Sequence, residues 1–189
     1  MRDNGRFKFI GHCRITDRVT GELIMEKRNA VHPQNLGRAI GRSLARDSNG
    51  PVFKMAFGNG GTFFNSSQTL IFRSPNTIGS ATLYNETWEV QVDDQDPSTP
   101  ATNSVVSVAA PSPSISTIVT VIAQLNSNEP PGQEVADNIT TDPEGIFVFD
   151  EIGLKTEDDL LLSHLIFSPI EKTANRAFLI TYTLTISAS

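Results

Sequence analysis

At 189 residues and 20.6 kDa the chain is long enough to bury one substantial core, and 38% hydrophobic residues with a mean hydropathy of -0.17 exclude collagen, coiled coil and wholesale disorder. The longest apolar runs, such as residues 118–123, fall far short of the roughly 20 residues that span a bilayer, so no membrane helix is expected. One cysteine, Cys13, excludes an internal disulfide and a thiolate metal cluster.

Charge is unevenly spread along the chain. Residues 1–54 hold 11 Lys and Arg against 5 Asp and Glu, a net of +6, whereas residues 55–189 hold 4 against 16, a net of -12. From Ser74 to Leu154 there is no Lys or Arg and there are 12 acids, a combination that repels nucleic acid and anionic lipid. The acidic part is either a solvated face or the complement of the basic part of another copy. The second reading favours head-to-tail assembly that weakens as salt rises.

In chain order, Met1-Arg2-Asp3-Asn4-Gly5-Arg6 does not open into an apolar leader, which predicts synthesis in the cytosol and makes the glycan-acceptor patterns at Asn65, Asn85 and Asn138 chance matches. Phe7, Phe9, Gly11, Cys13 and Ile15 then alternate with mostly polar residues, as a half-buried strand does. Asp17–Gly21 supplies turn chemistry before Leu23-Ile24-Met25, so a hairpin opens the fold. Further strands are expected at 52–57, 69–72, 82–92, 117–125, 145–149, 160–167 and 178–186. The last of these sets Phe178, Ile180, Tyr182, Leu184 and Ile186 on one face, and it should share a core with the Phe7 strand. Pro-, Ser- and Thr-rich stretches near 93–116 and 126–138 read as loops. The pattern predicts a mainly β chain, an antiparallel β-sandwich or jelly-roll-like single domain over residues 1–189, with one α-helix near residues 34–46.

That helix carries three stripes. Leu36, Ile40 and Leu44 form the apolar one that should meet the core; Gly37, Gly41 and Ala45 form a second, and Arg38, Arg42 and Arg46 a third. Two interior glycines cost roughly 1 kcal/mol each relative to alanine, so they predict a close backbone approach, either to the chain's own sheet or to another subunit. The arginines suit a solvated face or a salt-bridged protein interface better than nucleic acid, because no aromatic interleaving or binding motif accompanies them. Arg38, Arg42, Arg46, Gly37 and Gly41 are therefore the candidate subunit interface.

Motifs for chemistry are not found. Gly58-Asn59-Gly60-Gly61-Thr62 lacks the lysine of a phosphate loop and reads as a turn whose glycines supply positive φ. His12, His32 and His164 are too scattered for metal ligation. Asp93-Asp94-Gln95-Asp96 lacks the glycine and closing glutamate of a calcium loop, and no Gly-x-Ser-x-Gly elbow marks a nucleophile. No catalytic residue, cofactor or metal ligand is assigned, and no small-molecule substrate is expected.

The stretch GIFVFDEIGLKTEDDLLLSHLIFSPIEKTANRAFLITYTLTIS resembles the closing strands of small virion proteins of tailed bacteriophages, and NAVHPQNLGRAIGRSLARDSNGPVFKMAFGNGGT is similar to the N-terminal half of such proteins. The resemblance implies a non-enzymatic structural subunit of a virion, assembled in the host cytoplasm. It would sit in the neck, tail or baseplate ahead of capsid decoration, with other copies of itself and other virion proteins as partners. A β-sandwich carbohydrate-binding or glycan-degrading module at the tail is the alternative. It predicts an exposed aromatic platform or a paired-carboxylate cleft, for which one tryptophan and two tyrosines offer little material.

Overall fold

The structure is a computed structural model that describes residues 6–92, 104–109, 116–132 and 147–188. The chain opens with β1 (Phe7–Asp17) and β2 (Leu23–Val31), then the helix α1 (Pro33–Leu44). The short strands β3 (Lys54–Gly58), β4 (Thr62–Phe64), β5 (Leu70–Phe72) and β6 (Glu86–Gln91) follow. Five further strands follow among the described residues: β7 (Ser104–Ala109), β8 (Ser116–Leu125), β9 (Val148–Lys155), β10 (Leu161–Glu171) and β11 (Phe178–Ala188).

Among the described residues, nine strands form one curled antiparallel sheet in the order β6-β3-β9-β10-β2-β1-β11-β8-β7, and β4 and β5 form a separate hairpin. The curl turns at β2. Its first part lies along β1 from Gly11 to Thr16, whereas Ala30 and Val31 pair with His164 and Ser163 of β10. The two halves of the sheet thereby face each other across a core, as in a sandwich. One half contributes Cys13, Ile15, Val121, Ala123, Ile180 and Tyr182, and the other Met55, Phe57, Ile152, Leu154, Leu165 and Phe167. The Phe57 and Phe149 rings meet at 5.3 Å between centroids, a tilted contact within the aromatic range.

Sequence alternation accounts for much of this. Asp17 closes the first hairpin, because its Oδ1 accepts the amides of Val19 (2.8 Å) and Thr20 (3.0 Å), and Gly21 supplies φ +73° where a side chain would be strained. β1 and β11 pair over their whole length, from Phe7 opposite Ala188 to Asp17 opposite Phe178, so the two alternating strands do share one core. The expectation fails at the far end. Phe7 is 69% exposed, because the strands run past the opposing half of the sheet.

Three further expectations are corrected. Within the stretch read as a loop near 93–116, residues 104–109 form β7, paired from Ser104 opposite Ala123 to Ala109 opposite Ile118; β-branched Val105, Val106 and Val108 suit a ladder that the surrounding prolines obscured. The remainder of that stretch up to residue 115, and residues 133–138 of the second loop, lie outside the described residues. The strand expected at 145–149 extends instead to Lys155, and all eight of its residues are buried, Asp150 and Glu151 included. The helix ends at Leu44 rather than at 46, and of the stripe expected to meet the core Leu36 is buried and Ile40 partly buried but Leu44 is 82% exposed, with Asn35 and Ala39 buried instead. Polar groups set that placement. His32 caps the helix by accepting the backbone N–H of Asn35 on Nδ1 (3.2 Å), while the Asn35 side-chain NH2 donates to the Leu161 carbonyl (2.8 Å) and the His32 backbone N–H to the Leu162 carbonyl (2.9 Å), which anchors the start of the helix on β10.

Candidate functional site

The five residues singled out as a candidate interface lie in different settings on and beyond the helix. Arg42 is committed within the chain: its Nη1 donates to both oxygens of Asp158 (2.9 and 3.1 Å), and its Nε lies 3.7 Å from Asp47. Arg46 lies beyond the helix at φ +61°, off the band in which it was placed. Arg38 is exposed and borders a cleft of about 420 Å³ together with Gln34, Asn35, Ser80, Thr82 and Asp159. Gly37 and Gly41 are exposed, and a Cβ at either would meet nothing within 4 Å. Among the described residues nothing makes the close approach expected for the glycines; the sheet meets the helix at Asn35, Leu36 and Ala39.

Charges separated along the sequence meet in space. Lys54, from the basic part, reaches Glu89 and Asp159 (3.2 Å each), while Lys155 reaches Asp159 (2.7 Å) and Glu86 (3.1 Å). Asp159 is thus held below the usual carboxylate range by the hydrogen bond from Lys155, which with the one from Lys54 outweighs its partial burial. Part of the polarity that suggested head-to-tail pairing is consumed inside one molecule.

A polar interior lies under the glycine loop between β3 and β4. Asp150 and Glu151 are neighbours on β9, and both are fully buried. The Asp150 carboxylate accepts the amides of Gly61 (2.8 Å) and Thr62 (2.7 Å) and the Thr62 hydroxyl (2.5 Å). The Glu151 carboxylate accepts the amides of Gly60 (3.2 Å), Asn85 (2.8 Å) and Tyr84 (2.9 Å), and lies 2.9 Å from His164 Nε2. His164 is buried as well, and its Nδ1 accepts the Asn76 amide (2.8 Å), which leaves the ring proton on Nε2 to donate to Glu151. Burial outweighs the hydrogen bonds at Asp150 and holds its carboxyl above the ordinary range. At Glu151 burial also pushes upward, but the bonds from His164 and from the amides of Asn85 and Tyr84 win and hold it below.

These carboxylates face amides rather than solvent, so the arrangement is a clamp that shapes the loop. It explains the glycines differently from the turn reading. None of Gly58, Gly60 and Gly61 has positive φ; each is needed because backbone passes too close for a Cβ, at 2.4 Å from the Asn85 carbonyl for Gly58, 2.7 Å from the Asn85 amide for Gly60 and 2.9 Å from the Asp150 carbonyl for Gly61.

Above the clamp, Asn59, Gly60, Thr62, Arg73, Tyr84 and Asn85 line an open cleft of about 410 Å³. The β4–β5 hairpin forms one side, anchored where the Arg73 amide donates to the Gly61 carbonyl (2.9 Å). The Arg73 guanidinium lies over the rings of Tyr84 (4.8 Å) and Phe63 (5.4 Å). Phe63, Phe64 and Phe72 of this hairpin are 41%, 43% and 46% exposed. The register sets Phe64 and Phe72 on one face of the hairpin and Phe63 on the other, toward Arg73, so the three rings do not form one platform. The cleft was missed because its walls come from three separated stretches. One signal was there to read: Arg73 is the one Lys or Arg between Lys54 and Lys155.

No family model matches the chain, and no match is found among curated proteins or solved structures.

Proposed function

We propose that the protein is a non-enzymatic structural subunit of a tailed-phage virion, placed in the neck, tail or baseplate and held there by protein–protein contacts. The observation that supports this reading is the apolar overhang at one end of the sheet. Phe7–Ile10 have a ladder partner in β11 alone among the described residues, because β2 covers β1 only from Gly11 onward. The core-side face of the sheet continues there through Phe9, Ile186 and Val119, all partly exposed, to Phe7 and to Val108, which is 64% exposed. An edge strand and an apolar face that leave the sandwich together are what a neighbouring subunit covers in an assembly.

The test has two arms. Light scattering of the purified chain should give a mass above 20.6 kDa, and mass spectrometry of purified particles of the encoding phage should find the protein. A chain that stays monomeric at high concentration and is absent from the particles would overturn the reading.

A further inference from the structure

We propose that the cleft beside the β4–β5 hairpin is a binding site for a sugar acid, with the Arg73 guanidinium gripping the carboxylate and Asn85 reading a hydroxyl. Arg73 has no ion pair and no side-chain hydrogen bond among the described residues, and its guanidinium lies over two aromatic rings. Contact with the two rings holds the guanidinium beside the cleft, and its N–H donors form a fork that matches a carboxylate. The support is rigid. The Tyr84 hydroxyl donates to the Ser74 carbonyl (2.7 Å), and the amides of Tyr84 and Asn85 are both fixed on Glu151, so little ordering remains to oppose binding. Asn85 donates one amide N–H to Asn59 Oδ1 (2.6 Å), which leaves its carbonyl oxygen and second N–H for a ligand.

Size and charge narrow the class. At about 410 Å³ the cleft is near the lower end of small-ligand sites, which run from roughly 300 to 1,000 Å³, and its polar walls suit a hydroxylated ring. The buried carboxylates of Asp150 and Glu151 lie beneath the loop, and the whole chain carries -6. A dianion is disfavoured more strongly by that field than a monoanion is, which selects a carboxylate over a phosphate. The proposal does not rest on the assembly reading, since a monomer with a filled cleft would defeat that reading and leave this one standing.

The test is an amide-resolved NMR titration of the full chain with glucuronate and galacturonate, with glucose, galactose and inorganic phosphate as comparators. Saturable shifts at Gly60 and Asn85 are expected with the uronates, and binding of neutral sugars roughly tenfold weaker or less. Uronate oligomers form a second arm: tighter binding than the monomers assigns the ligand to a polysaccharide, and equal binding to a free acid. Arg73→Gln should lose about tenfold or more, and Arg73→Lys should lose part of that, because an ammonium keeps the charge without the fork. Should Arg73→Gln disturb the fold, Asn85→Asp places a repelling carboxylate in the cleft without altering a backbone bond and should likewise weaken uronate. Absence of saturable shifts with either uronate, preference for phosphate, an equal response to neutral sugars, or binding unchanged in both variants would overturn the proposal.

Discussion

At the scale of single residues, one carboxylate organises the interior beneath the glycine loop. Four N–H donors converge on Glu151, and a glutamine there would turn its own NH2 toward two of them whichever way it is flipped. Glu151→Gln should therefore cost about 1–3 kcal/mol, the penalty of a buried donor left unsatisfied, read as a lower urea midpoint at unchanged slope. The pH dependence has a definite sign. Because its folded value lies below the ordinary 4.5, Glu151 contributes stability that is complete above that value and is lost as pH falls below it. Asp150, raised by burial, acts in the opposite sense and opposes folding as pH rises through the carboxylate range. The acid limb of a stability–pH curve should flatten in Glu151→Gln; an unchanged limb would mean that other carboxylates set it.

At the scale of elements, glycines in two places have opposite meanings. Gly60 has the Asn85 amide 2.7 Å from where a Cβ would sit, so Gly60→Ala should destabilise by about 1–3 kcal/mol through overpacking against backbone. Gly37 and Gly41 face open space on a regular helix, so alanine at each should stabilise by about 0.5–1 kcal/mol, measurable as a raised melting temperature. If that helix face meets another subunit closely, the same two substitutions should lower assembly while raising the monomer's stability. Alternation identified β1, β8 and β11 well because those strands have one face on the core and the other toward solvent. It failed for β9 beyond Phe149, where Asp150 and Glu151 occupy a strand buried on both faces and are tolerated through amides supplied from residues 60–62 and 84–85. For α1 the pattern placed the helix but not all of its inward face, because the Asn35 side chain and the His32 backbone N–H, bonded to Leu161 and Leu162, fix the start of the helix on the sheet while Leu44 stays exposed. Long-range hydrogen bonds decided both cases, and a single sequence does not display them. The cleft was hidden for the same reason, since Arg73 acquires its meaning only beside Tyr84 and Phe63.

At the scale of the whole molecule, the folded chain recasts the charge argument for assembly. Arg42, Lys54 and Lys155 already pair with acids of their own chain, so Arg38 and Arg46 are what remains of the helix's cationic surface for a second copy. Exposed pairs of that kind contribute little, with a median near 0–1 kcal/mol, and they are screened as the Debye length falls from roughly 10 Å at 0.1 M salt to about 3 Å at 1 M. The apolar overhang responds to salt in the opposite way, since excluded salts strengthen burial. Under the assembly proposed above, the oligomer should keep its mass from low to high salt. Reversing Arg38 and Arg46 to glutamate should slow association more than it weakens the complex, because rim charges steer encounters. Phe7→Ser combined with Phe9→Ser should remove the oligomer. It should leave the core intact, because Phe7 is 69% exposed, Phe9 only partly buried, and both lie outside the cluster formed by Cys13, Ile15 and Tyr182. Light scattering across a salt series, with circular dichroism on each variant, separates the two driving forces. Dissociation at high salt in the unaltered chain, or an oligomer that survives loss of both phenylalanines, would return the interface to the charged surface of the helix.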